Sequence, residues 1–184
     1  MRLSTPRIEP LAEQDWDDEI RGRLDPDGNP DDVLNVMKTM ARHKKLFKRW
    51  QVFANHVLFK SSLPVREKEI LILRIGWLCR SEYEWGQHTL IGRDAGLTDD
   101  EIERIAKGPD APGWSEVDQL LLRATDELHA DAFVSDETWN ALSEHFNTEQ
   151  MMDIVFAVGQ YNLVSMALNT FGVQLDEGVG GFPA

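Results

Sequence analysis

Cysteine is almost absent from the sequence, because Cys79 is the single one among 184 residues. An intrachain disulfide therefore cannot form, and nothing indicates an exported scaffold held by disulfides. Cysteine and histidine clusters of the zinc-binding kind are missing as well, since His43, His56, His129 and His145 lack metal-ligand spacing with one another. A glycine-rich phosphate loop is also missing. The sequence thus predicts no metal centre.

Basic residues are scarce relative to acidic ones, with 19 Lys and Arg against 32 Asp and Glu and a formal charge of −13. An acidic surface repels nucleic acid and anionic lipid, so neither is an expected partner. The N-terminal segment lacks the apolar core of a signal peptide. The most apolar stretch, residues 154–168, is interrupted by Gln160, Asn162 and Ser165 and is too short for a membrane span. We expect a cytoplasmic enzyme or a protein that binds small molecules.

Sustained alternation of apolar and polar residues is missing too, so no strand is expected. Apolar residues instead recur at helical spacing, and turn residues separate the segments. These signals predict an all-α domain of about eight helices, with helical segments near residues 15–24, 33–41, 46–57, 64–80, 81–96, 98–108, 115–130, 136–146 and 148–171. Residues 1–30 form an N-terminal extension with a short helix, and residues 31–175 form the domain. Residues 176–184 form a tail that is flexible or docks on a neighbouring subunit.

The chemically informative stretch is residues 67–96. If Ser81 begins a helix, Glu84 and His88 follow at positions i+3 and i+7, on the same helix face. Glu69 lies at the head of the preceding apolar helix and approaches this face if the two helices fold back on each other. A carboxylate beside an imidazole orients the ring and stabilises its charged form, which suits proton transfer.

This stretch resembles the signature of the alkylhydroperoxidase D-like proteins. That signature is a Glu, eleven intervening residues, a C-x-x-C pair, three more residues and a His. The Glu matches Glu69 and the His matches His88, whereas the two cysteine positions are occupied by Ser81 and Glu84. The segments TPRIEPL, NVMKTMARHKKLFKRW and AGLTDDEI extend the similarity over most of residues 5–175. The resemblance implies an alkylhydroperoxidase D-like helical domain that self-associates, as a trimer or hexamer.

The departure from the signature changes the implied chemistry. Peroxide reduction needs a thiolate and a resolving thiol, which Ser81 and Glu84 cannot supply. The sequence is also similar to the carboxymuconolactone decarboxylases, which lack the cysteine pair but keep the histidine and an acid where Glu84 stands. This similarity implies a lyase, decarboxylase or isomerase without a cofactor, acting on a small carboxylated or lactone substrate. His88 would be the base or acid, Glu84 would orient it, Glu69 would share the proton and Ser81 would give a hydrogen bond.

Three further residues are candidates for substrate binding. Arg74, the lone charge in an apolar helix, can bind a substrate carboxylate or form an internal salt bridge. Trp85 can form a wall of the pocket or belong to the core. Tyr161 can reach the site or mediate contacts between subunits.

Structural roles compete with the catalytic ones. Ser81 and Glu84 also match a capping box, in which the serine side chain bonds the backbone of Glu84 and the glutamate bonds back. His88 can be a core histidine with a partner, and Glu69 a solvated acid in a first helical turn. Two other functions also stay open, a peroxidase-related protein that uses Cys79 alone and a binding member of the family without catalysis.

Overall fold

The helices begin and end close to the local sequence signals. The computed structural model describes residues 2–183, and within them nine α-helices and three short 3-10 helices occur with no strand. The expected all-α fold class is confirmed. The α-helices are α1 (Asp18–Leu24), α2 (Asn35–Met40), α3 (Lys44–Phe59), α4 (Val65–Leu78), α5 (Glu82–Asp94), α6 (Asp99–Lys107), α7 (Glu116–Asp131), α8 (Asp136–Ser143) and α9 (Thr148–Phe171).

Local capping residues account for several of these ends. Pro64 directly precedes α4, and Gly96 follows α5 with a φ of 97°, a conformation that favours glycine. Thr98 and Glu101 form a capping box at the start of α6. Helix α4 ends at Leu78, two residues earlier than expected, because the chain reverses there and Arg80 adopts a φ of 52°.

Helix α4 is the centre of the fold. It packs against α5, α6, α7 and α9, and residues 68–76 are all buried. Its apolar side chains lie on every side of the helix, as the sequence predicted for a buried helix. Burial of each Ile or Leu contributes about 1.5–3 kcal/mol, so α4 is the element around which the others assemble.

The N-terminal residues pack on the domain. Leu11, Trp16 and Ile20 are buried in one apolar cluster with Phe47 of α3. The indole of Trp16 donates a 3.0 Å hydrogen bond to the carbonyl of Leu11. The segment expected to be an extension is therefore attached to the domain through its own small core.

Helix α9 is long and apolar enough, by length and composition alone, to pass as a membrane span, but half of its most apolar stretch is buried inside the protein. A core helix has the same composition. Four large apolar side chains of α9 stay exposed: Met152, Phe156, Leu163 and Met166. The expected self-association stays a prediction.

The C-terminal tail contacts α5 of its own chain. Phe182 packs against Trp77 and Trp85, with ring centroids 5.0 and 5.8 Å apart. The carboxylate of Asp176 accepts hydrogen bonds from the Tyr83 hydroxyl and from Gln87. The tail that was expected to be flexible or to dock on another subunit thus lies along the helix that carries His88.

Glycine at position 86 allows this close approach, because a Cβ there would lie 2.3 Å from the carbonyl oxygen of Gly180. We predict that Gly86→Ala displaces the tail, since backbone atoms cannot yield at that distance. Limited proteolysis should cut the variant in the tail at least several-fold faster than the wild type. Gly22→Ala is the control, because nothing lies within 4 Å of its added Cβ and its tail should be cut at the wild-type rate. Equal protection of the tail in Gly86→Ala would refute the contact.

Candidate active site

Two helices that fold back on each other form the centre of the site. Gly76 of α4 lies against α5 so closely that a Cβ at that position would be 3.3 Å from the Cγ of Glu84. The absence of a side chain at Gly76 therefore lets Glu84 pack directly on α4. One end of the same interface brings Glu69 of α4 next to His88 of α5.

His88 lies between two carboxylates. Its Nδ1 atom is 2.6 Å from Oε2 of Glu69, and its Nε2 atom is 3.0 Å from Oε1 of Glu84. The first contact is a well-formed hydrogen bond, whereas the second is an ion pair without an aligned hydrogen bond. All three side chains are buried, and Glu69 is fully so. The three residues that the sequence placed together thus meet in the structure.

These neighbours control the charge of the imidazole. Burial by itself lowers the pKa of His88, but the carboxylates of Glu84 and Glu69 outweigh it and raise that pKa to about 10. At neutral pH the ring is therefore an imidazolium, with its Nδ1–H bonded to Glu69 and its Nε2 atom in an ion pair with Glu84. An imidazolium can give up a proton but cannot accept one. Of the two roles that the sequence left open for His88, base and acid, the structure therefore favours the acid.

A cavity of about 230 Å³ lies beside this cluster. Glu84, His88 and Tyr161 line it, together with Gln160 and largely apolar side chains of α2, α3 and α9. The ring of Tyr161 stands edge-on to the imidazole, with ring centroids 4.9 Å apart. Burial, and to a smaller extent the charges of Glu84 and Glu69, raise the pKa of the Tyr161 hydroxyl well above its usual value. Tyr161 is thus a protonated hydrogen-bond donor at the cavity, which places it at the expected site.

Ser81 does not act as the expected cap. Although it is the residue before α5, its side chain makes no capping hydrogen bond, and its buried Oγ has no partner within the described residues. The capping-box interpretation of Glu84 is therefore wrong, because the carboxylate turns to His88 instead. Ser81 itself is fully buried and is not among the residues that line the cavity.

Arg74 does not reach the cavity. Its guanidinium forms a bidentate ion pair with Asp126 at 2.6 and 2.8 Å and donates to the carbonyls of Ile105 and Ala106. With its donors engaged, Arg74 joins α4 to α6 and α7, as the salt-bridge alternative proposed. The interpretation of Arg74 as a substrate-binding residue is corrected accordingly.

Trp85 also lies outside the cavity. Its ring packs against Trp77, with centroids 5.2 Å apart, and against Phe182 of the tail. It lies under the C-terminal segment and is not among the residues that line the cavity. Trp85 therefore belongs to the core and not to the substrate pocket.

Cys79 is half-buried just after α4. Its Sγ atom lies 3.0 Å from Oδ1 of Asn162 and 3.9 Å from Nδ1 of His129. Burial raises the pKa of this thiol, which lowers its reactive thiolate fraction.

Several residues of the site were missed by the sequence argument. Gln160 lines the cavity with a buried Oε1 that has no protein partner among the described residues, and Gln87 and Tyr83 line it while bonded to Asp176 of the tail. Gly76 was the available signal, because a glycine inside an apolar helix often marks a close helix contact. The contacts of Gln87 and Tyr83 with Asp176 could not be predicted, because Asp176 is distant in sequence and no local pattern indicates it.

Within residues 2–183, no group of three or more His, Cys, Asp or Glu side chains is arranged to hold a metal ion. The expectation of a site without metal or cofactor remains a prediction.

Comparison with known proteins bears on this geometry. Residues 44–127, which include Glu69, Glu84 and His88, match the profile of the Carboxymuconolactone decarboxylase family. Curated protein sequences gave no significant match.

Solved structures share the fold of this chain at low sequence identity. A peroxidase-related protein from Ralstonia eutropha with an alkylhydroperoxidase core has a TM-score of 0.80 at 21% identity and covers 92% of each chain. A peroxidase-related protein from Silicibacter has a TM-score of 0.71 at 18% identity and covers 94% of this chain and 90% of its own. The debrominase Bmp8, solved with 2,3,4-tribromopyrrole, has a TM-score of 0.74 at 13% identity and covers 95% and 94%. The expected alkylhydroperoxidase D-like fold is confirmed.

The role of Arg74 can be tested through stability. We predict that Arg74→Met lowers the free energy of unfolding by about 3 kcal/mol, because it removes one partner of a largely buried ion pair. Urea denaturation measures this loss, and Arg93→Met is the control, because the exposed pair of Arg93 with Asp99 should contribute less than about 1 kcal/mol. Ligand binding by folded Arg74→Met should equal that of the wild type. A selective loss of ligand binding with stability unchanged would restore the substrate-binding role.

The pKa of His88 predicts how stability depends on pH. Because the folded-state pKa is about 10 and the ordinary value is 6.5, the contribution of His88 is complete below pH 6.5 and is lost as pH rises through 10. The difference in unfolding free energy between the wild type and His88→Gln should therefore shrink over this range. Denaturation series at pH 6 to 10 check this, with the exposed His145→Gln as control. A difference that stays constant to pH 10 would rule out the charged ring.

Proposed function

We propose that this protein is a cofactor-independent enzyme of acid–base chemistry, a lyase, decarboxylase or isomerase that moves protons on a small molecule. The observation that supports it best is the buried Glu69–His88–Glu84 cluster, whose His88 and Glu84 open on a cavity. A structural ion pair needs no cavity beside it, whereas a catalyst does. The family of residues 44–127 points to the same chemistry.

Glu84 is the proposed base. Its carboxylate lines the cavity, and Oε1 has no aligned hydrogen bond to satisfy it. Although Oε1 forms an ion pair with Nε2 of His88, no aligned hydrogen bond engages it, so it can accept a proton from a carbon next to a carbonyl group. The electron pair of the broken C–H bond then moves into the carbonyl and leaves an enolate, whose charge the adjacent imidazolium and the Tyr161 hydroxyl stabilise.

His88 is the proposed acid, and Glu69 its positioning residue. The hydrogen bond from Nδ1–H to Glu69 fixes the ring so that Nε2–H is on the side of Glu84 and the cavity. In an isomerisation, Glu84 returns its proton to a different carbon of the enolate. In a loss of carbon dioxide, the C–C electron pair stays on the substrate, and Nε2 of His88 supplies the proton that replaces the lost group.

Thiol chemistry at Cys79 is the weaker candidate. The His129 ring at 3.9 Å favours it, but burial holds the thiol in its protonated form. The chain also offers no second cysteine for a disulfide. Peroxide reduction would therefore depend on an external thiol at every turnover.

The proposed chemistry can be tested with a simple carbon acid. We predict that the wild type converts a β,γ-unsaturated five-membered lactone to its α,β-unsaturated isomer and incorporates deuterium from D₂O. His88→Gln and Glu84→Gln should each lower the rate about 10²–10⁴-fold, since positioned acids and bases contribute that much. Absorbance of the conjugated isomer and NMR detection of deuterium give the two rates.

His129→Gln is the matched control, because it removes the histidine beside Cys79 and leaves the carboxylate cluster intact. Its rate should equal that of the wild type. A rate that drops in His129→Gln and not in His88→Gln would overturn the proposal in favour of thiol chemistry.

A further inference from the structure

The charges around the cavity distinguish between carboxylated substrates and uncharged lactones, the two substrate classes that the family implies. Two carboxylates face one imidazolium in the cluster, which leaves one excess negative charge when each group has its usual charge. In addition, both nitrogens of the imidazolium are directed at these carboxylates. The single positive group at the cavity is therefore already neutralised by the protein.

The other cations near the cluster do not line the cavity. Among residues 2–183, no lysine or arginine lines the cavity. Arg74 is bound to Asp126, and the ammonium of Lys68 interacts with the charge of Glu69 and donates to the carbonyl of Leu58. A carboxylate inside the cavity would thus meet Glu84 without a partner of opposite charge, which is costly in a water-poor site.

The polar side chains that line the cavity suit an uncharged ligand better than a carboxylate. Tyr161 presents a hydroxyl that stays protonated, Gln160 has an unpartnered buried oxygen, and Glu84 accepts hydrogen bonds. The remaining lining is mostly apolar. A second cavity of about 180 Å³ adjoins the first across Val36, Trp50 and Val164, and its lining is apolar apart from Thr39.

We propose that the substrate is an uncharged, largely apolar molecule of single-ring size with a hydrogen-bond donor group, and that carboxylated substrates are excluded. Cavities of about 150 Å³ in proteins hold benzene, so 230 Å³ takes one substituted ring. The donor group bonds Glu84, and the carbonyl oxygen of the substrate bonds the Tyr161 hydroxyl. This inference rests on the proposed function and narrows it from carboxylated or lactone substrates to uncharged ones, such as lactones that carry a hydroxyl group, and so from decarboxylation to isomerisation or another lyase reaction.

Benzamide and benzoate are a suitable pair of probes, because they have nearly the same shape and differ in charge. At pH 7, isothermal titration of the wild type should show benzamide binding at least about tenfold more tightly than benzoate. Ala54→Trp fills the cavity from α3, so it should abolish binding of benzamide and thereby locate the site. Equal or tighter binding of benzoate, or binding of neither probe to the wild type, would overturn the inference.

A cation added at the rim tests the electrostatic reason. Asn55 is exposed at the edge of the cavity, so Asn55→Arg should fold normally and strengthen benzoate binding about tenfold while it leaves benzamide binding nearly unchanged. Asn140→Arg adds the same charge on exposed α8 and should change neither affinity. An increase in benzoate affinity that is equal in both variants would show a non-specific effect of net charge and would contradict the inference.

Failure of this inference is distinguishable from failure of the proposed function. Tight benzoate binding together with lactone isomerisation that depends on His88 would refute the uncharged substrate alone. A preference for benzamide without any isomerisation that depends on His88 would refute the acid–base enzyme and leave an uncharged-ligand binding site.

Discussion

The hydrogen bond between Nδ1 of His88 and the buried carboxylate of Glu69 is the interaction on which the site depends. It joins the two helices that carry the chemistry, α4 and α5, at a point where water has little access. A carboxylate that is fully buried must have a partner, because an unpaired buried charge costs several kcal/mol. His88 is that partner, and the bond in turn sets the orientation of its ring.

The carboxylate of Glu84 turns the Glu69–His88 ion pair into a cluster that is able to carry out acid–base chemistry. With Glu69 alone, His88 would be half of a neutral ion pair inside the core. Glu84 adds a charge on the cavity side, held there because Gly76 lets α5 approach α4 closely. The cluster therefore places two acidic side chains against one histidine beside a mostly apolar cavity, an arrangement that stability alone does not favour. Such an arrangement is more readily explained by catalysis than by packing.

Much of the fold could be predicted from the sequence because its signals are local. Proline, glycine and capping residues mark helix ends within a few positions, and the apolar surround of α4 identified it as buried. Helical spacing also placed Glu84 and His88 on one face. The contacts of Arg74 and Trp85 could not be predicted, because Asp126 and Phe182 are distant in sequence and nothing local selects them. The same holds for the charge of His88, which depends on how closely two helices pack.

The central claim is that His88 is a charged ring held between two carboxylates, and nitrogen NMR of the ¹⁵N-histidine-labelled protein tests it most directly. The account predicts that at pH 8 both ring nitrogens of His88, assigned by comparison with His88→Gln, have the chemical shifts of an imidazolium, and that Glu69→Gln lowers the titration midpoint. A neutral His88 ring at pH 8, with one protonated and one bare nitrogen, would contradict it.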